Sequence, residues 1–197
     1  MKARLPAGGF GFAVILSLAL GAAAAQKTRV AVFQPWASSG VAAGFRVVHT
    51  TSGACWEHSL STDRPDAWRC MAGNDILHPC FSGAPHGDTV ACSDDPFSNR
   101  LVLMKLTKHL DNRRNPTAEM LQPKGEPWAV RLTDGDACFF ATGATDVAGG
   151  MRMNYECKGN TWLAGDANRS AALWTIRSIT WPNKTKLIAV GIAEAVF

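Results

Sequence analysis

The sequence predicts an all-β protein, mainly antiparallel: a small disulfide-stapled sandwich or barrel with long loops in its first half. Three observations carry this. Apolar residues recur with period two through the second half, the pattern of half-buried strands. Six cysteines sit in a chain that looks exported. The 18 glycines, 10 prolines and seven tryptophans leave no stretch with long helical periodicity.

Export is read from the first 25 residues. Lys2 and Arg4 form a basic n-region, and an apolar run from Ala7 to Leu20 follows, broken only by Ser17. Ala23 and Ala25 satisfy the small-x-small rule of signal peptidase, which places cleavage before Gln26. The alternative is an uncleaved membrane anchor, since Ala7 to Ala25 approaches the length of a bilayer span. Its last third is only alanine and glycine, and no basic flank follows beyond Lys27 and Arg29, which favours cleavage. The expected location is therefore secreted or periplasmic, with no membrane insertion after the signal is removed.

Residues 26–197 then form one secreted β-rich domain, long enough for a real core. It divides into an N-terminal arm with strands (26–52), a cysteine-rich loop region (53–96) and an antiparallel sheet (97–197). Without Lys2 and Arg4, 18 basic residues face 16 acidic ones, and no Lys/Arg run exceeds two. That balance implies neither a nucleic-acid nor an anionic-membrane partner.

Strands are expected at Lys27 to Phe33 and Gly44 to Thr51. The stretch AWRCMAGNDILHPCF, Ala67 to Phe81, reads as a stapled loop. Gly73-Asn74-Asp75 makes its turn, and Ile76, Leu77 and Phe81 are laid against the sheet. Leu101 to Thr107 is the next strand, and Asp111 to Pro127 and Ser61 to Asp66 are exposed loops. In WAVRLTDGDACFF, Trp128, Val130 and Leu132 share one face, and Asp134-Gly135 suits a two-residue type I′ turn before a return strand at Ala137 to Ala141. Gly149-Gly150 opens MRMNYECK, whose Met151, Met153, Tyr155 and Cys157 alternate with polar residues. Thr161 to Ala164, Ser170 to Ile179 and Lys186 to Phe197 complete the sheet. No internal repeat is evident.

Six cysteines read as three disulfides, since no C-x2-C or H-x3-H spacing supports zinc. If Ala137 to Ala141 pairs antiparallel with MRMNYECK, Cys138 lands beside Cys157. For the rest, sequence proximity favours Cys55–Cys70 and Cys80–Cys92. Each bridge closing about 15 residues contributes roughly 3 kcal/mol.

Chemistry is sparse. Glu57-His58-Ser59 with Asp63 is the nearest thing to a constellation, but neighbours on a strand point to opposite faces. There is no nucleophile elbow, HExxH helix or phosphate loop. Asp134-Gly135-Asp136 fits a turn better than a calcium loop. No catalytic residue, metal site or cofactor is expected. Trp128 and Trp174 lie on apolar strand faces and read as core. Trp36, Trp68 and Trp181 lie beside Pro, Asp or Arg, and with Arg69 they are the candidate contact residues. Asn168-Arg169-Ser170 and Asn183-Lys184-Thr185 match the N-glycosylation sequon, and a bacterial-looking signal peptide gives them little weight.

Cys55-Trp56, Trp68-Arg69-Cys70-Met71-Ala72-Gly73-Asn74, Pro79-Cys80-Phe81 and Cys92 together resemble a pattern in a group of uncharacterised secreted bacterial proteins. Trp128, Leu132, Gly135, Cys138, Tyr155, Cys157 and Trp174 continue it in order, so the resemblance spans Gly53 to Arg177. It implies export and disulfide bonding and carries over no catalytic residue. Two functions are expected to compete. One is a non-catalytic binding or envelope-associated module for an envelope protein or glycan. The other is a small secreted hydrolase using His58 or His78 as base with Asp75, Glu57 or Asp63 as partner.

Overall fold

The computed structural model describes residues 26–83, 87–111, 120, 123–180 and 186–197. Residues 1–25, read above as a signal segment, Trp181 and the sequon at Asn183 lie outside them. The protein is all-β, as expected, and is built from two closed sheets.

The first is a five-stranded barrel: β4 (Arg46–His58), β5 (Ala67–Ala72), β6 (Asp75–Ser82), β7 (Thr89–Cys92) and β8 (Arg100–Leu106). Successive strands are antiparallel, so after five of them the first and last run the same way. β8 accordingly closes the barrel parallel to the first half of β4, Arg46 to Gly53. The second half of β4 pairs with β5 instead. A single 13-residue strand thus belongs to both sides of the seam.

The second sheet uses β9 (Ala129–Leu132), β10 (Ala137–Phe140), β12 (Met151–Cys157), β13 (Thr161–Asn168), β14 (Trp174–Thr180) and β15 (Ile188–Val196). With six strands the meander closes antiparallel, β15 on β9. Short β11 (Val147–Ala148) pairs with β12 off this path. β1 (Arg29–Ala31) adds in parallel to Glu194–Val196 of β15. β2 (Trp36–Ala37) and β3 (Gly40–Val41) form a separate small hairpin.

Both barrels share a core. Phe33, Trp36, Phe81, Leu101, Trp128 and Val196 form one buried cluster drawn from the arm, the first barrel and the second. Phe33 is its hub, with ring centroids 5.1 Å from Phe45, 5.1 Å from Phe81 and 5.5 Å from Trp128. The interior of the first barrel holds Trp68, Val90, Met104 and four of the cysteines, with Cys55 at its margin. Val130, Leu132, Tyr155, Leu163, Ile176 and Ile192 fill the second.

The disulfides are Cys55–Cys70, Cys80–Cys92 and Cys138–Cys157, the three pairs read from the sequence. In each, the two cysteines stand directly opposite in neighbouring antiparallel strands.

Several local expectations are corrected. The region 53–96 is a strand meander rather than a run of loops. AWRCMAGNDILHPCF is a hairpin, β5–β6, in which Ala72 faces Asp75 across a two-residue turn. Gly73 takes φ +61° at the first central position, as a type II′ turn requires. Ile76 on the return strand points out at 53% exposure, whereas Phe81 is fully buried. The Asp134-Gly135 turn is also different. The Leu132 amide donates to the Asp136 carbonyl, leaving three residues in the loop, and only Gly135 has positive φ. Type I′ needs two such residues. Asp134 instead accepts the Asp136 amide on its side chain and stays right-handed.

A repeat is present after all. Ala54-Cys55-Trp56 in the second half of β4 and Ala137-Cys138-Phe139 at the start of β10 occupy corresponding places. Trp68-x-Cys70 and Tyr155-x-Cys157 lie on the partners bonded to them, and Gly73-Asn74 and Gly159-Asn160 turn the next hairpins, both glycines at positive φ. Two further antiparallel strands complete each unit. The match is carried by half a dozen residues at unequal spacings, too few for sequence inspection to separate from chance.

Candidate functional site

A concavity opens on the first barrel, a cleft of about 470 Å³. It lies where β6 and the chain beyond β7 diverge, and Val48, Ile76, Leu77 and Val102 form its apolar part. His78, Ser93, Asp94, Asp95 and Arg100 supply its polar groups.

His78 is the anchored member. Its Nε2 receives the Leu60 backbone amide at 2.9 Å and lies 2.9 Å from the Ser59 hydroxyl. An atom that accepts an amide proton carries the lone pair, so the ring proton is assigned to Nδ1. Burial, assisted by the nearby Arg69 guanidinium, lowers its pKa to about 4, and the ring is neutral at physiological pH. Ser59 itself is fully buried, beside the Ser61 hydroxyl at 3.1 Å, and its oxygen accepts the Ser61 amide.

The loop between β7 and β8 supplies the acidic wall. Asp95 Oδ1 accepts the Phe97 amide, and the Asp95 carbonyl receives both the amide and the hydroxyl of Ser98. Asn99 follows in the left-handed region at φ 54°, completing a tight return into β8. The Ser93 hydroxyl is buried and meets no hydrogen-bond partner among the described residues.

An apolar strip runs beside the cleft on the outer face of β4, β5 and β6. Met71 and Ile76 are cross-strand partners, exposed by 43% and 53%. Trp56, exposed by 46%, lies two residues along β4 from Ala54, the partner of Met71, at a bulge where two β4 residues oppose one on β5. The Arg69 guanidinium lies 5.3 Å from the centre of its ring and bonds Glu57 at 3.0 Å. Ile76 belongs to both the strip and the cleft.

The sequence candidates divide sharply. Arg69 is on the surface. Trp68 and Trp36 are not: Trp68 is buried in the barrel, with His58 stacked on it at 4.2 Å. Trp36 is buried where its indole donates to the Phe81 carbonyl at 2.9 Å. Strand face, and not the polarity of flanking residues, decides the exposure of a tryptophan. Trp181 lies outside the described residues. Of the hydrolase candidates, Glu57 pairs with Arg69, Asp63 accepts the Gly125 amide, and Asp75 sits exposed at the β5–β6 turn. His78 meets a serine in place of a carboxylate. The cleft's Asp94, Ser93 and Arg100 had no signal in the sequence, because nothing marks where two strands will part.

Comparison with protein-family models, curated proteins and solved structures found no match. The fold and the bonding define the protein's class: a disulfide-stapled double β-barrel. All six cysteines are consumed in bonds, which fits an oxidising, extracellular compartment.

Proposed function

We propose that this is an exported bacterial protein, secreted or periplasmic, that works as a non-catalytic binding module for a protein of the cell envelope. The observation that carries this reading is the Trp56–Met71–Ile76 strip, apolar, exposed and continuous with the cleft. A protein partner is favoured over a glycan because two of its three members are aliphatic or thioether. The third, Trp56, already has a guanidinium over its ring, where a sugar would stack. The basic, apolar and small-residue order of the N-terminus and the resemblance to secreted bacterial proteins support export.

The hydrolase reading draws on the Ser59–His78 contact. A nucleophile needs access to substrate, and Ser59 has none. Its hydroxyl and the His78 Nε2 are used to fix the chain after β4.

The test is capture from envelope extract on immobilised protein, compared with Met71→Glu/Ile76→Glu. The reading expects one defined protein whose recovery falls at least tenfold in the variant at unchanged melting temperature. Equal recovery removes the strip as the binding face. Fluorophosphonate labelling of Ser59 would establish the hydrolase instead.

A further inference from the structure

We infer that the cleft beside β6 binds an α-ammonium flanked by a carbonyl on an apolar side chain, the chemistry shared by a peptide's free N-terminal residue and a free apolar amino acid. This rests on the binding-module reading and names what the cleft takes.

The cleft divides by chemistry. Val48, Ile76, Leu77 and Val102 offer an apolar face for an aliphatic side chain. Opposite charge is provided for: Asp94 and Asp95 outnumber Arg100 by one, and His78 adds no positive charge because its ring is neutral. A cationic group is therefore favoured over an anionic one. Asp95 is preorganised, since Oδ1 is already fixed by the Phe97 amide.

The acceptor specificity comes from His78. With Nε2 occupied by the Leu60 amide and Ser59, the ring can only donate, through Nδ1. A carbonyl one carbon from an ammonium is the acceptor this donor suits. Ser93 contributes a buried hydroxyl to the cleft with a hydrogen bond still to make. A free amino acid brings a carboxylate as well, which Arg100 at the rim can meet.

The experiment titrates leucinamide, leucine and N-acetyl-leucinamide into the full mature protein, following the His78 ring nitrogens and backbone amides by NMR and affinity by calorimetry. Leucinamide is expected to shift Nδ1 and the 93–95 amides saturably, with N-acetyl-leucinamide at least tenfold weaker. Asp94→Asn, an exposed substitution that leaves the fold intact, is expected to weaken leucinamide about tenfold. Leucine binding as well as leucinamide identifies a free amino acid as the ligand; leucinamide alone identifies a peptide N-terminus. Equal binding of the acetylated probe, an unchanged Asp94→Asn affinity, or shifts confined to other surfaces would overturn the assignment. If leucinamide fails while Met71→Glu/Ile76→Glu still abolishes capture of an envelope protein, the cleft assignment falls and the binding-module reading stands.

Discussion

His78 turns a burial problem into a structural joint. A neutral imidazole lets Nε2 accept a backbone amide that would otherwise be stranded at the end of β4. The arrangement makes stability depend on pH with a definite sign. The folded ring is held near 4, and the unfolded one titrates near 6.5. Between those values the unfolded chain takes up a proton that the folded one refuses, so stability falls as pH drops from about 6.5 to about 4 and the effect levels off below. The loss reaches roughly 3 kcal/mol at the limit. Urea unfolding across this window is expected to show that slope in the native protein and a flatter one in His78→Asn. Two glycines are fixed just as tightly. A Cβ on Gly53 would stand 2.1 Å from the Met71 carbonyl oxygen, and one on Gly83 would enter the Trp36 ring at 2.3 Å. Gly53→Ala is expected to cost about 3 kcal/mol or more, because backbone on a paired strand cannot step aside; thermal unfolding measures it.

At the scale of elements, each disulfide spans a pair of strands that already face one another, and so locks register as well as proximity. Cys80–Cys92 matters most for the cleft, because β6 and the chain after β7 diverge immediately beyond it. The Cys80→Ala/Cys92→Ala pair is expected to lose about 3 kcal/mol by chain entropy. Hydrogen exchange should rise first at Pro79's partner, the Ser93 amide, and along the 93–99 loop. Uniform loss of protection across both barrels would contradict this. The bulge opposite Arg69 has a comparable local role, since it sets both Trp56 and Glu57 against the single residue Arg69 on β5.

The molecule as a whole is held by its arm. Phe33 joins both barrels in one core, and its amide donates to the Phe197 carbonyl. Arg64 bonds the carbonyls of both Phe33 and Phe197 and stacks 4.6 Å over Phe81. Thr28 accepts the Trp174 amide at 2.7 Å and donates to the Ile192 carbonyl at 2.6 Å. The barrels are therefore expected to unfold in one calorimetric transition. Phe33→Ala should cost about 3–5 kcal/mol and split that transition into two. A single transition in the variant would show that the arm does not couple them.

Period two is local, so the strands of the second half, the Cys138–Cys157 bridge between two of them and the burial of Trp128 were legible in the sequence, while Cys55–Cys70 and Cys80–Cys92 were matched by proximity alone. The sequence also determined that Gly73-Asn74 and Asp134-Gly135 are turns, though the loop length at Asp134 was set by one hydrogen bond from Leu132 to Asp136. Closure of the sheets into two barrels of five and six strands belongs to the tertiary structure, since it pairs residues 53 to 67 positions apart. The tertiary structure alone exposed Trp56 while burying Trp36 and Trp68, because which face of a strand is the inner one is set by how the sheet closes. It likewise joined Ser59 and Leu60 to His78 and set Asp94 and Arg100 around the same opening. A cleft forms where paired strands part, and parting is a property of the closed sheet rather than of any segment within it.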